Sequence, residues 1–283
     1  MVSAYAGIDP RSGAAIPPDY IVEQGVERYT AVDHDIWRFL FRRQHDLLQG
    51  RAVGEFHDGL RALGIGEGRI PDFDDVNDRL SEATGWRIAP VPGLVPDSVF
   101  FAHLAAQRFP AGYWIRTPQE LDYIEEPDVF HDVFGHAPLL MQPRYADYMQ
   151  AYGAAGLRLA GADRLKRLSR LYWYTTEFGL MRDHNGLRIF GAGILSSAAE
   201  AVYALESPLP RRIAFDCIRV MRTAYEIDHL QDIYFVLSGY GDLPRLDPAW
   251  LDQALAAAET GIELGPRDLD PRDRCMPTPG AGP

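Results

Sequence analysis

Glu126-Pro-Asp-Val-Phe-His-Asp-Val-Phe-Gly-His-Ala-Pro-Leu-Leu140 carries two histidines, His131 and His136, five positions apart. Further on, Leu171-Tyr-Trp-Tyr-Thr-Thr-Glu-Phe-Gly179 sets one acid, Glu177, in an aromatic run. Two imidazoles and one carboxylate are the ligand set of a facial iron(II) site, which leaves one side of the metal open for oxygen chemistry. Spacing alone leaves alternatives. Five residues along an α-helix turn by roughly 140°, so the imidazoles converge only if the helix bends or ends near Gly135-His136, with Pro138 close behind. The pattern is not the HExxH of zinc proteases, whose histidines share a face. Two hydrogen-bonded, partly buried histidines fit it as well. An ionised Glu177 among such neighbours needs a partner, a metal ion or an arginine such as Arg182, unless it lies on a solvated helix face.

Composition narrows the field. The chain has 283 residues, 47% of them apolar, enough for one large domain. It has no apolar run long enough for a membrane span and no secretory leader pattern, so a cytoplasmic protein is expected. A net charge of −12 disfavours nucleic-acid binding. Cys217 and Cys275 fall in no CxxC pattern, so neither a disulfide framework nor thiolate-bound zinc is implied.

The hydrophobic periodicity predicts mainly α structure with a few short strands (α+β). Residues 1–28 read as an extended arm, and 264–283 as a flexible tail. Thr30 with Asp33 caps a helix that turns Ile36, Phe39 and Leu40 inward. A second helix carries Val53, Phe56, Leu60 and Leu63 and ends near Gly64. A third carries Phe73, Val76 and Leu80 and stops before Gly85. Residues 88–97, with three prolines, read as a loop. A helix follows from Asp97 to about Gln107, then a strand at Tyr113–Arg116. Thr117-Pro-Gln-Glu120 looks like a helix start. One long helix is expected from Asp163 to Met181, a turn at Asp183–Gly186, and a strand at Leu187–Phe190. Ser196 or Ser197 caps the next helix. Residues 211–237 are ambiguous, and Asp247-Pro248 opens a last helix to about Thr260.

Three stretches together resemble one family. Glu126–Leu140, Tyr172–Leu180 and Phe190-Gly-Ala-Gly-Ile-Leu-Ser-Ser197 are similar, in order and spacing, to the motifs of the pterin-dependent aromatic amino acid hydroxylases, most of all their short bacterial phenylalanine-hydroxylating branch. The similarity runs from about Tyr29 to Tyr240. It implies a helical basket of the family's type, a catalytic domain over 29–263, and hydroxylation of L-phenylalanine to L-tyrosine with dioxygen, a tetrahydropterin and non-haem Fe(II), through a ferryl oxidant. It implies His131, His136 and Glu177 as iron ligands and Tyr172 beside iron and pterin. Arg116 is implied to grip the substrate carboxylate, with Asp128 orienting it. Pro127 and Trp173 are implied to wall the substrate ring, and Ser196 to orient His131. Phe100 matches the residue stacked on the pterin. The Gly93–Asp97 loop, including Val95 and Asp97, matches the one bonding the pterin edge, and Asp132 is implied to reach the pterin through water.

The chain also departs from animal members of that family. Ile124 replaces a threonine near the substrate carboxylate. The stretch before Tyr29 is too short for a regulatory domain, and the C-terminal stretch lacks tetramerising heptads, so a monomer is expected. Trp173, and Ile227 where tyrosine-preferring enzymes place an acid, favour phenylalanine over tryptophan or tyrosine. Two other classes compete: a metal-dependent phosphohydrolase, prompted by His131-Asp132 but lacking further paired histidines, and a non-catalytic metal- or pterin-binding protein.

Overall fold

Helix α1 (Ala31–Leu47) begins in a reciprocal capping box between Thr30 and Asp33. The chain is described here by a computed structural model covering residues 7–159 and 163–276. The inward stripe of α1 is Ile36, Trp37, Leu40, Phe41 and Gln44. Phe39, expected on that stripe, is instead 49% exposed. It follows Trp37 by two residues, roughly 200° around the axis, and Arg43 lies over its ring at 5.3 Å. Helices α2 (Gly54–Leu63) and α3 (Phe73–Thr84) end at left-handed Gly64 and Gly85 and bury the expected apolar residues.

The proline-rich stretch hides a strand. β1 (Arg87–Val91) pairs in parallel with β2 (Arg108–Gly112), across α4 (Asp97–Ala105). Pro90 is tolerated because its nitrogen faces away from β2, on the side where its carbonyl accepts from Val22. The strand expected at Tyr113–Arg116 does not form, since β2 ends at Gly112. There the Trp114 carbonyl accepts from Val129, and the Arg116 N–H donates to the Asp128 side chain. Thr117–Glu120 forms only a short 3-10 turn with its capping box.

Two π-helical turns, Phe130–His136 and Trp173–Glu177, lie at the centre of the basket. The first runs into a 3-10 turn (Ala137–Met141) and then α5 (Pro143–Leu159). The second follows α6 (Arg164–Tyr172). The long helix expected to Met181 therefore stops early, and β3 (Leu180–Asp183) begins instead. Close backbone approach explains the break: Gly179 O accepts from Gly191 N at 3.0 Å, and a Cβ on Gly191 would lie 2.5 Å from Gly179 N. β4 (Gly186–Ile189) returns antiparallel to β3. After α7 (Ala192–Leu195) and α8 (Ala198–Glu206), the ambiguous 211–237 stretch resolves into β5 (Arg211–Ala214), α9 (Cys217–Met221) and β6 (Ile233–Leu237). The four strands lie in the order β4-β3-β6-β5. Helix α10 (Pro248–Thr260) is capped by Asp247.

Residues 264–276, expected as a flexible tail, are tied down. Leu264 exchanges backbone bonds with Arg222 and Ala224. Asp273 binds Arg219, and Asp270 binds Arg222 at 3.0 Å. Residues 277–283 and 1–6 lie outside the described range, while the arm from Gly7 buries Asp9 against the Tyr113 hydroxyl. No helix is long and apolar enough to cross a membrane among the described residues.

The aromatic core sits directly beneath the first π turn. Phe130 and Phe134 stack at 4.7 Å, and Trp37, Phe41 and Phe56 meet them edge-on. Gly59, on α2 with Phe56, presses on Pro138, so close that an added Cβ would run into the Pro138 backbone. Gly59→Ala should cost about 1–3 kcal/mol in urea unfolding and weaken metal binding at His136, two residues from that contact. Unchanged stability and metal affinity would show that this packing does not set the turn.

Candidate iron and pterin site

A π-helical turn closes i→i+5 rather than i→i+4. That brings His131 and His136 onto one face, which an α-helix would not. His136 Nε2 lies 3.3 Å from His131 Nε2. Glu177, delivered by the second π turn, lies 3.2 Å from His136 Nε2 and 3.6 Å from His131 Nε2. The first of those contacts is made by Glu177 Oε1 and the second by Oε2; ligands at right angles around a metal at about 2.1 Å sit about 3.0 Å apart, so the three side chains suit one face of an octahedron. They are the only such cluster among the described residues.

The protonation states suit a metal as well. Burial pushes the His131 imidazole down to about 4, against the opposing pull of Glu177. Burial alone would raise the Glu177 carboxyl, but the neighbouring His136 and His131 bring it below its ordinary value. A neutral His131 imidazole and an ionised Glu177 carboxylate are ligating forms. Ser196 fixes the tautomer. Its hydroxyl donates to the Ala192 carbonyl at 2.9 Å, so it accepts from His131 Nδ1–H at 2.8 Å and leaves Nε2 free for the metal. Ser197, not Ser196, caps the following helix. His136 is held by packing against Phe109 and Tyr172.

Two cavities meet at this centre. One, of about 360 Å³, is lined by Arg116, Ile124, Pro127, His131, Phe178, Ser196, Glu200 and the loop Ile227–Leu230, among others. The other, of about 260 Å³, is lined by Gly93, Val95, Asp97, Phe100, Asp132, Tyr172 and all three ligands. Only Pro127 and His131 line both.

The family model of the biopterin-dependent aromatic amino acid hydroxylases matches residues 14–245. The chain belongs to that family. A phenylalanine-4-hydroxylase of Ralstonia nicotianae is 57% identical over 251 residues, 88% of this chain and 80% of the relative. One of Caulobacter vibrioides is 58% identical over 229 residues, 81% of this chain and 78% of the relative. The crystal structure of Chromobacterium violaceum phenylalanine hydroxylase with bound iron(III) and 7,8-dihydrobiopterin superposes with a TM-score of 0.85 at 49% identity, over 91% of this chain and 93% of that one.

In this hydroxylase the residues singled out from sequence fall into three positions. Val95, Asp97, Phe100, Asp132 and Tyr172 all line the smaller cavity. Arg116, Pro127 and Ser196 line the larger. Asp128 lies behind Arg116, wholly buried. Its carboxylate accepts Arg116 Nε at 2.8 Å, Nη2 at 2.9 Å, the Arg116 backbone N–H at 2.9 Å and the His131 backbone N–H at 3.0 Å. Trp173 is not a lining residue. It packs behind Phe178, 4.6 Å between ring centres, and Phe178 forms the wall. Sequence reading gave no role to Phe178 or Glu200, and of the loop around His229 it singled out only Ile227. No local motif marks them, because the fold brings them in from distant segments. Asp132 accepts the Gly112 N–H at 2.7 Å, and burial raises its carboxyl well above the ordinary range.

Asp128→Ala should strand a buried guanidinium and cost about 3–5 kcal/mol, read by chemical denaturation. A loss under 1 kcal/mol would mean that Arg116 finds another partner. The His131 imidazole predicts a pH dependence of the metal-free protein. Unfolded, it titrates near 6.5; folded, near 4. As pH falls the unfolded chain takes the proton first. The group's contribution is therefore intact above 6.5 and lost between 6.5 and 4, about 3 kcal/mol at most. His131→Asn should flatten the stability curve in that window, and parallel curves would refute a buried neutral imidazole.

Proposed function

We propose that the chain hydroxylates L-phenylalanine to L-tyrosine, using dioxygen, a tetrahydropterin and non-haem Fe(II) held by His131, His136 and Glu177. The observation that carries this reading is the pair of cavities meeting at His131, one of the three ligands, with the other two lining the smaller cavity. A metal bound there touches both an amino-acid cavity and a pterin cavity. The names of the relatives, and the iron and dihydrobiopterin in the Chromobacterium violaceum enzyme, support the same assignment. Iron and pterin, once bound, supply the activation of dioxygen.

The protein's share is placement. Asp128 occupies Nε and Nη2 of Arg116, leaving Nη1 for the substrate carboxylate in a charge-assisted bond. Pro127 and Phe178, backed by Trp173, wall the aromatic ring, and Ile227 adds a neutral side chain to the cavity lining. Phe100 offers the pterin a face for stacking, and its ring meets Tyr172 edge-on at 5.7 Å. The Gly93–Asp97 loop and Asp132 offer polar atoms to the pterin edge. Tyr172 lines the pterin cavity beside His136, where it helps keep water from the metal. The chain is proposed to act as a cytoplasmic monomer. Helix α10 spends its apolar face, Leu251, Ala254, Leu255 and Ala258, on its own core, and both cysteines are free thiols, as a reducing compartment favours.

The test is tyrosine formation from phenylalanine with Fe(II) and a tetrahydropterin, in air and without oxygen. Product is expected only in air, and His136→Ala should fall to background. Arg116→Ala should raise the KM for phenylalanine by about 10- to 100-fold, the worth of one charge-assisted bond. No product from iron-loaded wild type with phenylalanine would sink the assignment.

A further inference from the structure

Gln231, just before β6, is 4% exposed and uses its whole amide. Its Oε1 accepts from Trp173 Nε1 at 2.9 Å. Its Nε2 donates to the carbonyls of Glu226 and His229, each at 3.1 Å. Its backbone N–H donates to Glu200 Oε1 at 3.1 Å, an oxygen that also takes the Tyr234 hydroxyl. An indole only donates and a carbonyl only accepts, so the amide can face just one way.

These partners reach three sides of the amino-acid cavity. Glu200 lines it from α8, and Ile227–Leu230 line it from the loop. Trp173 supports the Phe178 wall and stacks on Tyr225 at 4.4 Å. Residues 226–230 are five consecutive exposed positions. A segment with so few buried contacts opens easily unless a buried bond anchors it. The Gln231 amide provides that anchor and ties it to the indole.

We propose that Gln231 is a positioning residue for the amino-acid substrate: its single amide locks the Trp173–Phe178 wall to the 226–230 loop, fixing the separation between two sides of the cavity. It reaches substrate only through those neighbours. The proposal rests on the phenylalanine-hydroxylating reading, which wild-type turnover tests separately.

The experiment compares KM for phenylalanine and for tetrahydropterin in wild type, Gln231→Met, Gln231→Glu, Trp173→Phe and the Trp173→Phe/Gln231→Met double variant. Gln231→Met keeps the length and loses every side-chain bond. It should raise KM for phenylalanine on the order of tenfold and leave KM for the pterin, bound in the other cavity, unchanged. In the Trp173→Phe background no indole N–H needs a partner, so the same change should cost less. Gln231→Glu keeps the acceptor for Trp173 but sets a carboxylate oxygen against the Glu226 and His229 carbonyls, and should raise KM for phenylalanine at least as much. A folded Gln231→Met with wild-type KM for phenylalanine overturns the proposal. So do parallel rises in both KM values, or equal effects in the two backgrounds. If Gln231→Met does not fold, Gln231→Glu decides: a selective rise supports the proposal and an unchanged KM removes it.

Discussion

The buried carboxylate of Asp128 is the constraint on which the site depends. Both its oxygens accept two bonds each, so no lone-pair direction is left to compete for water or for another cation. A charge this deep is stable only when so fully paired. Three of its bonds go to Arg116 and the fourth to the backbone of His131. The group proposed for the substrate carboxylate and the first histidine of the candidate metal site are thus indexed to one atom group. Neither can shift without the other.

The π turns are the second constraint. An α-helical register would spread His131 and His136 around the axis, and the extra residue per turn realigns them. Such turns give up good backbone packing and persist only when surroundings hold them. Here the stacked Phe130–Phe134 pair holds the first from below, and the Gly59–Pro138 contact limits its exit. The second is closed off by the Gly179–Gly191 approach, which turns the chain into β3 before the helix can continue.

What could be read in the sequence divides by range. Signals carried within a few residues were legible: the Thr30–Asp33 capping box, the left-handed glycines after α2 and α3, and Asp247-Pro248 before α10. The ligand motifs were legible because their chemistry is compressed into two short runs. The strand at Arg87–Val91 was masked by Pro90, since only the pairing shows that its nitrogen faces outward. β5, α9 and β6 were ambiguous because each is five residues or fewer, too short to display a period. The walls at Phe178 and Glu200 could not be read at all, and Ile227 was legible only through the family resemblance. Their roles arise from contacts between segments far apart in the chain, as with Gln231 and Trp173, 58 residues apart.

The two cavities share just Pro127 and His131. This gives the protein a modular kind of tolerance. Substitutions at Phe100 or Val95 touch one chamber alone, and those at Ile124, Phe178 or Ile227 touch only the other. With one chamber proposed for the amino acid and the other for the pterin, the two preferences are then free to drift independently over generations. A change at Pro127 would disturb both at once, so that one ring is where the two specificities are coupled, and where an engineer should avoid beginning.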